Sequence, residues 1–346
     1  MPRFEIRAAS RQDEEELFAL ARYLNTVNLP NDRAAIASLL DVSERSFNGS
    51  IEAVRDREYI FILHDLEKQR AVGTSMVIAQ LGRPGEPYIY LDVDREEKYS
   101  ATLKKHFVHR VLCARYSYEG PTEIGGLVVR PDYRGSPEKI GTLISFVRFL
   151  FIALQRQDFR DELLAELLPP LEPDGTSHLW EALGRHFTGL SYSEADRLSK
   201  RNKEFIRGLF PEGEIYATLL PERAQAVIGA VGEQTRGVEK LLRRIGFRYA
   251  ERVDPFDGGP HFVAPTDEVS LVRAARRVEL VAEGPTFLTE RVLVGRRTVN
   301  PPYFVAIPTL AGSRDARTLS ISLEALERLD AAGPGQTWVM PIISGA

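Results

Sequence analysis

Residues 124–154 read IGGLVVRPDYRGSPEKIGTLISFVRFLFIAL, and the order of features within them decides the fold. Ile124, Leu127, Val128 and Val129 form a β-type apolar run that stops at Arg130-Pro131, because proline donates no backbone N–H and fixes its own φ. Tyr133, Arg134, Gly135 and Ser136 then make a polar turn, and Pro137 suits the first position of a helix. From Ile140 the helix is apolar nearly all round, so it must be buried on most sides. Its first turn carries unpaired N–H groups and a partial positive charge. Lys139, Gly141 and Thr142 therefore stand where a pyrophosphate can approach the backbone, and a side chain at 141 would hold it away.

Upstream, residues 4–8 read as a strand, and Ser10 caps a helix whose acidic start, Asp13 to Glu16, suits the macrodipole. Leu17, Leu20, Ala21 and Leu24 supply its apolar face. A second helix follows over 32–47, then strands over 59–64 and 71–79 joined by a polar turn as a hairpin. An extra strand is expected over 88–93 and a mixed helical stretch over 98–113, placing His106 and His109 on one helical face. With no third ligand nearby, no metal site is expected.

Downstream, a strand over 162–168 leads to a helix capped by Ser177. Two helix-to-strand turns share one design, each with a glycine expected just past the helix end, Gly184 and Gly246. Between them lie helices over 194–210 and 221–230 and a strand-like run over 214–220. From about residue 270 the chain turns rich in Val, Thr, Pro and Gly. Strands are expected over 286–293, 303–307 and 318–321, with a helix over 322–331.

Composition narrows the function. The 346 residues are 43% hydrophobic and 27% charged, which fills a sizeable core. The net charge of -4 and the absence of basic runs interleaved with aromatics argue against nucleic acid as a partner. A single Cys113 fits a reducing compartment, so a cytoplasmic location is expected. The first residues show no apolar signal region, and the most apolar segment is short and interrupted by Arg148, so no membrane partner is expected.

The run from Arg134 to Thr142 resembles, in stretched form, the pyrophosphate loop of GCN5-related N-acyltransferases. The β-α-α-β-β opening followed by strand, turn and helix is that fold's element order. The resemblance implies an α+β fold, a mixed sheet flanked by helices, with coenzyme A held by Arg134, Gly135, Gly141 and Thr142. The acyltransferase domain would span 1–265 with an insertion at about 80–120. A small β-rich module would occupy 266–346.

Three further segments sharpen this: LAELLPPLEPDGTSHLWEALGRHFTGLSYSEADRLSKRNKEFI in 162–206, YATLLPERAQAVIG, and LLRRIGFRYAERVDPFDGGPHF in 238–262. They resemble the arginine N-succinyltransferases, most specifically in the string DPFDGGPHF that begins at Asp254. The resemblance implies succinyl-CoA as co-substrate, with no permanently bound cofactor, and L-arginine, or ornithine, as the amine acceptor. An oligomer with itself or with a paralogue is a further expectation. The family's acyl-CoA-contacting leucine falls on Leu127, with Val129 beside it in the same strand. Its proton-donor histidine falls on Gly232, which has no proton to give. Three explanations stand open: another group such as Glu233 has taken over, the histidine is dispensable, or the chain has diverged in acceptor or lost catalysis.

The chemistry sets the remaining expectations. An amine attacking a thioester needs a base, an oxyanion donor and a proton for the leaving thiolate. His261 is the best remaining histidine for acid or base work, with Glu166 and Glu233 as further catalytic candidates. Backbone N–H groups around Leu127 to Val129 can serve the oxyanion. Asp254, Asp257 and Glu166 are the carboxylates for a guanidinium, although Asp257 is equally suited to cap the turn of Gly258 and Gly259. Arg130, Arg201 and Lys203 are candidate cations for the succinyl carboxylate.

Overall fold

The computed structural model describes residues 2–23, 29–83, 86–172, 174–199 and 202–342. Leu24 and Arg201 lie outside them. The chain forms two compact units: Met1–Gln80 with Thr122–Asp161 and Pro265–Ala346, and Leu81–Pro121 with Glu162–Ala264.

In chain order, the expected opening is present as β1 (Phe4–Ala8), α1 (Glu14–Ala21), α2 (Arg33–Phe47), β2 (Glu58–Asp65) and β3 (Arg70–Ile78). Asp32 caps α2 by accepting the Ala35 N–H. Then come β4 (Tyr88–Ser100) and β5 (Lys105–Ser117). The helical stretch expected over 98–113 is not formed. Those residues pair as one long hairpin, with His106 opposite Tyr99 and His109 opposite Glu96. On a strand, residues three apart point to opposite faces, so the two histidines do not share one. Cross-strand pairing overrode a weak helical pattern.

The strand β6 (Thr122–Val129) ends at Pro131 as expected, but α3 (Ile140–Leu154) begins later than Pro137 predicted. Lys139 instead forms the helix N-cap with left-handed φ of 56°. Apart from Gly141, Thr142 and Ala153, every residue of α3 is buried. Phe47, Phe61, Phe151 and Phe304 pack edge to face beneath the sheet, at centroid distances of 5.2–5.6 Å.

After β7 (Glu162–Glu166) the chain is mostly short helices: α4 (His178–Ala182), α5 (Gly184–Thr188), α6 (Tyr192–Ser199) and α7 (Glu204–Leu209). The helices expected to run through 183 and across 194–210 are therefore each broken. Gly184 is not a cap. A Cβ there would lie 2.3 Å from the Trp180 ring, so close packing demands the glycine, and Gly189 with φ of 70° takes the left-handed cap. Next come β8 (Ile215–Tyr216), α8 (Glu222–Val227), α9 (Arg236–Ile245), β9 (Arg248–Val253) and β10 (Pro260–Pro265). Gly246 caps α9 with φ of 113° as expected.

The remaining elements are α10 (Ser270–Ala274), β11 (Arg276–Arg277), β12 (Glu279–Ala282), β13 (Glu290–Thr298), β14 (Phe304–Ser313), β15 (Thr318–Ile321), α11 (Leu323–Ala331) and β16 (Gly335–Pro341). Residues 266–346 pair directly with the N-terminal strand, Ile6 against Ala306 and Arg7 against Val305, and so share a compact unit with it. The strand order in the first unit is β11-β16-β13-β14-β1-β2-β3-β6, and in the second β7-β10-β9-β4-β5-β8.

Candidate active site

In the first unit the β3–β6 register slips: Thr74 faces Val128 but Met76 faces Gly125, so β6 carries one extra residue. Gly126 absorbs it with φ of 57°, where a Cβ would lie 2.9 Å from Met76 Cγ. The bulge leaves Leu127 and Val129 half-exposed and interrupts the ladder where a ligand would need N–H donors. Beneath it Arg148, buried within α3, donates to Ser145 O, Ser145 Oγ and Gly125 O. Burial pulls its pKa down to about 9.

The basic turn that follows is exposed at Arg134 and Gly135. Arg134 Nε donates to Val129 O at 3.3 Å. Tyr133 anchors the turn by donating to Asp65 Oδ2 at 2.7 Å, and Arg3 pairs with the same oxygen at 3.0 Å. A Cβ at Gly141 would meet nothing nearer than Val129 Cγ2 at 3.8 Å. Among the described residues nothing demands glycine there, so the space over the α3 N-terminus is open. Ser136 Oγ, in the same turn, is buried without a hydrogen-bond partner.

In the second unit the DPFDGGPH string folds into the turn between β9 and β10. Asp254 Oδ1 accepts the N–H groups of Phe256 and Asp257 at 2.7 and 3.2 Å, and Asp257 Oδ1 accepts that of Gly259 at 2.7 Å. The capping reading of Asp257 is thus realised. The turn is pinned by Ser177, which donates to Phe256 O, and by Phe256 stacking on Trp180 at 4.9 Å. Burial raises the pKa of Asp254. Burial and the neighbouring Asp254 raise Asp257 well above the usual carboxylate range. Burial, with Asp257 and Asp254 nearby, also raises Tyr192.

His261 is fully buried. Its Nδ1 lies 2.7 Å from Tyr88 Oη on β4, and its Nε2 lies 3.4 Å from Glu166 Oε1 at the end of β7. Nε2 makes no hydrogen bond. One acceptor atom each from Glu166, Asp254 and His261 lie within 4.8 Å of one another. Burial, with the charges of Arg252 and Lys203, pushes the imidazole pKa down to about 3, so it is neutral at pH 7. A second such trio, Asp13, Glu16 and His64, already holds a cation, because Arg7 donates to Asp13 Oδ2 at 2.8 Å and lies 3.2 Å from His64 Nε2.

Gly232 lies against the backbone just beyond Glu166. Its N–H donates to Leu168 O at 2.8 Å, and a Cβ there would lie 2.7 Å from Pro169 O and 2.8 Å from Leu168 O. Position 232 is therefore filled by main chain, and no histidine side chain fits. Glu233 follows, exposed, at the start of a short turn. Gly259 meets the same segment, since a Cβ there would lie 2.5 Å from Leu167 O. The two glycines clamp residues 167–169 and so fix the end of β7.

The site thus collects Glu166, Asp254, Asp257 and His261 as read from the sequence, and adds Tyr88 and Tyr192. These two carried no signal: Tyr88 is 173 residues from His261.

The match to a known family decides the matter. The description arginine N-succinyltransferase beta subunit fits residues 4–271, which include both groups of residues. This chain belongs to that family. An arginine N-succinyltransferase of Yersinia enterocolitica is 34% identical over 80% of this chain and 80% of its own. Arginine N-succinyltransferase subunit beta of Pseudomonas aeruginosa is 31% identical over 97% of this chain and 98% of its own. The solved structure of arginine/ornithine succinyltransferase subunit AI from Pseudomonas aeruginosa superposes with a TM-score of 0.83 at 25% identity, covering 99% of this chain and 100% of that one. The fold of the chain is that of this succinyltransferase subunit.

Proposed function

We propose that this protein transfers the succinyl group of succinyl-CoA to the α-amine of L-arginine, or of L-ornithine, releasing CoA. The observation that carries this reading is the family match over residues 4–271. On the donor side, the β6 bulge at Leu127 and Val129 would take the pantetheine and thioester. Arg134, Gly135, Gly141 and Thr142 would take the pyrophosphate, which the open space at Gly141 supports. Arg148 braces that bulge through the Gly125 carbonyl.

On the acceptor side, Glu166 and Asp254 are the carboxylates for a basic amino acid, while Asp257, its pKa raised and its Oδ1 accepting the Gly259 N–H, holds the turn that carries Asp254. Glu166 and the exposed Glu233 are the groups for proton transfer, and the buried, neutral His261 lies 3.4 Å from Glu166 Oε1. The lack of a histidine at 232 is tolerable, because CoA thiolate is a fair leaving group and needs the acid least. Family members named as subunits support assembly with a second chain, whether a copy or a paralogue. Among the described residues no helix is long and apolar enough to cross a membrane, and the single Cys113 supports a cytoplasmic location.

The test is thiol release on mixing the protein with succinyl-CoA and either L-arginine or L-ornithine between pH 7 and 9. Amine-dependent release is expected. No release with either amine overturns the reading.

A further inference from the structure

A brace for one main-chain carbonyl needs a hydrogen-bond donor but no charge, and Arg148 brings both. It sits in the middle of α3, 2% exposed, and donates to neutral acceptors: Nε to Ser145 O at 3.1 Å, Nη2 to Ser145 Oγ at 2.7 Å and Nη1 to Gly125 O at 3.4 Å. One N–H on each Nη is left over. Among the described residues no carboxylate pairs with it, and no neighbouring acid offsets the effect of burial on its pKa. Arg296, likewise buried, has such a partner, since it donates to Asp330 Oδ1 at 2.7 Å. Burying a charge without a counter-charge is costly, so an anion that reaches Arg148 is strongly favoured.

Its position sets which anion that is. At about 1.5 Å per residue, Arg148 lies about 12 Å down α3 from Ile140, too far to serve a pyrophosphate at the helix start. Its Nη1 instead touches Gly125, next to the bulge at Gly126 and Leu127 that would take the thioester. Gly125 and Gly126 are half-exposed and carry no side chains to screen the guanidinium. A succinyl carboxylate stands about 4–5 Å beyond its thioester carbonyl, across C–C bonds of about 1.5 Å. With one hydrogen bond of about 3 Å added, this spans the two residues of extended chain, at most about 7 Å, from Leu127 back to Gly125.

We propose that Arg148 is the acyl-specificity residue of the donor site: its guanidinium takes the free carboxylate of the succinyl group beside Gly125 and so selects succinyl-CoA over donors of equal length that lack a carboxylate. This rests on the succinyl-transfer reading above and assigns the donor's carboxylate to named atoms. The planar fork of a guanidinium matches a carboxylate. Ser145 is its positioning residue, since it accepts from both Nε and Nη2 and so fixes the plane of the fork. Arg130, a cation read from the sequence for this role, already pairs with Asp132 at 3.3 Å.

The test compares succinyl-CoA with butyryl-CoA, which has the same chain length and a methyl in place of the carboxylate. Both are titrated calorimetrically without any amine, and kcat/KM is measured with L-arginine, for the intact protein, Arg148→Met and Arg148→Lys. Methionine leaves an unbranched chain and no buried charge, and a thermal melt checks its folding. The readout is the ratio of the two donors, so any loosening of the bulge, which weakens both alike, cancels. The intact protein should bind succinyl-CoA roughly 10- to 100-fold tighter than butyryl-CoA. Arg148→Met should bring that ratio close to unity, and Arg148→Lys, which keeps the charge but not the fork, should fall between. The kcat/KM ratios should follow the same order.

Equal affinity for the two donors in the intact protein overturns the proposal without recourse to any variant. A preference for succinyl-CoA that survives in Arg148→Met also overturns it and leaves Arg148 as a brace. Should neither arginine variant fold, Ser145→Ala, which removes the acceptor of Nη2 with a small change of volume, takes their place: a reduced ratio supports the assignment and an unchanged one overturns it. A binding preference that depends on Arg148, without transfer to either amine, supports the carboxylate seat while refuting the transferase reading. Amine-dependent transfer that is as fast from butyryl-CoA as from succinyl-CoA overturns the seat while leaving acyl transfer standing, so the two failures are separable.

Discussion

A histidine restored at Gly232 should damage this protein and not repair it. The backbone at 232 has an ordinary φ of -64°, so conformation does not forbid a side chain; space does. A Cβ would lie 2.7 Å from Pro169 O and 2.8 Å from Leu168 O. Moving those oxygens to an ordinary contact requires a retreat of about 0.6–0.7 Å in a well-packed segment, an overpacking cost of about 1–3 kcal/mol. At about 2–4 °C per kcal/mol, Gly232→Ala should lower Tm by about 2–12 °C. Gly232→His should lower it at least as far. Because the displaced residues directly follow Glu166, turnover should fall in both variants. The assay pairs a thermal melt with succinyl-CoA thiol release. A Gly232→His protein with unchanged Tm and raised kcat would refute the steric reasoning and restore the view of position 232 as a lost proton donor.

The donor side predicts the opposite pattern. Gly141→Ala, with its nearest neighbour 3.8 Å away, should leave Tm level or slightly raised, since alanine favours a helix by up to about 1 kcal/mol over glycine, yet weaken CoA binding roughly 10-fold by calorimetry. Asp65→Asn removes the anchor of Tyr133 and Arg3 and should cost about 1–3 kcal/mol in urea unfolding. The hydrogen bonds of Arg3 and Tyr133, outweighing burial, hold Asp65 at about 2. Its depressed folded pKa gives stability that is present above about pH 4 and lost as pH falls toward about 2, and the asparagine variant should lack that slope. Asp257 is the reverse case. Its folded pKa is raised, so its contribution declines as pH climbs from about 4 toward the folded value. Asp257→Asn, which keeps an oxygen for the Gly259 N–H, should flatten that decline and cost less than about 1 kcal/mol at pH 7.

Local signals carried much of this fold into the sequence. Pro131 ends β6, Ser177 caps its helix, and the all-round apolarity of α3 marks it as buried. Pairing with distant residues did not show. Lys105–Ser117 has no alternation strong enough to announce a strand, and only its register with Tyr88–Ser100 makes it one. Residues 266–346 read as a separate module in sequence because nothing local reveals that Phe304–Ser313 lies beside Phe4–Ala8. The carboxylates and His261 were legible as residue types in an unusual string. Tyr88 and the main-chain packing at Gly232 were not, since both depend on segments far away in the chain.

The central claim is succinyl transfer to an α-amine. Its most direct test is tandem mass spectrometry of the product formed from succinyl-CoA and L-arginine, with CoA counted in parallel. The account predicts one succinyl group on the α-nitrogen per CoA released. CoA release without a succinylated amino acid, or a succinyl group on the guanidinium, would contradict it.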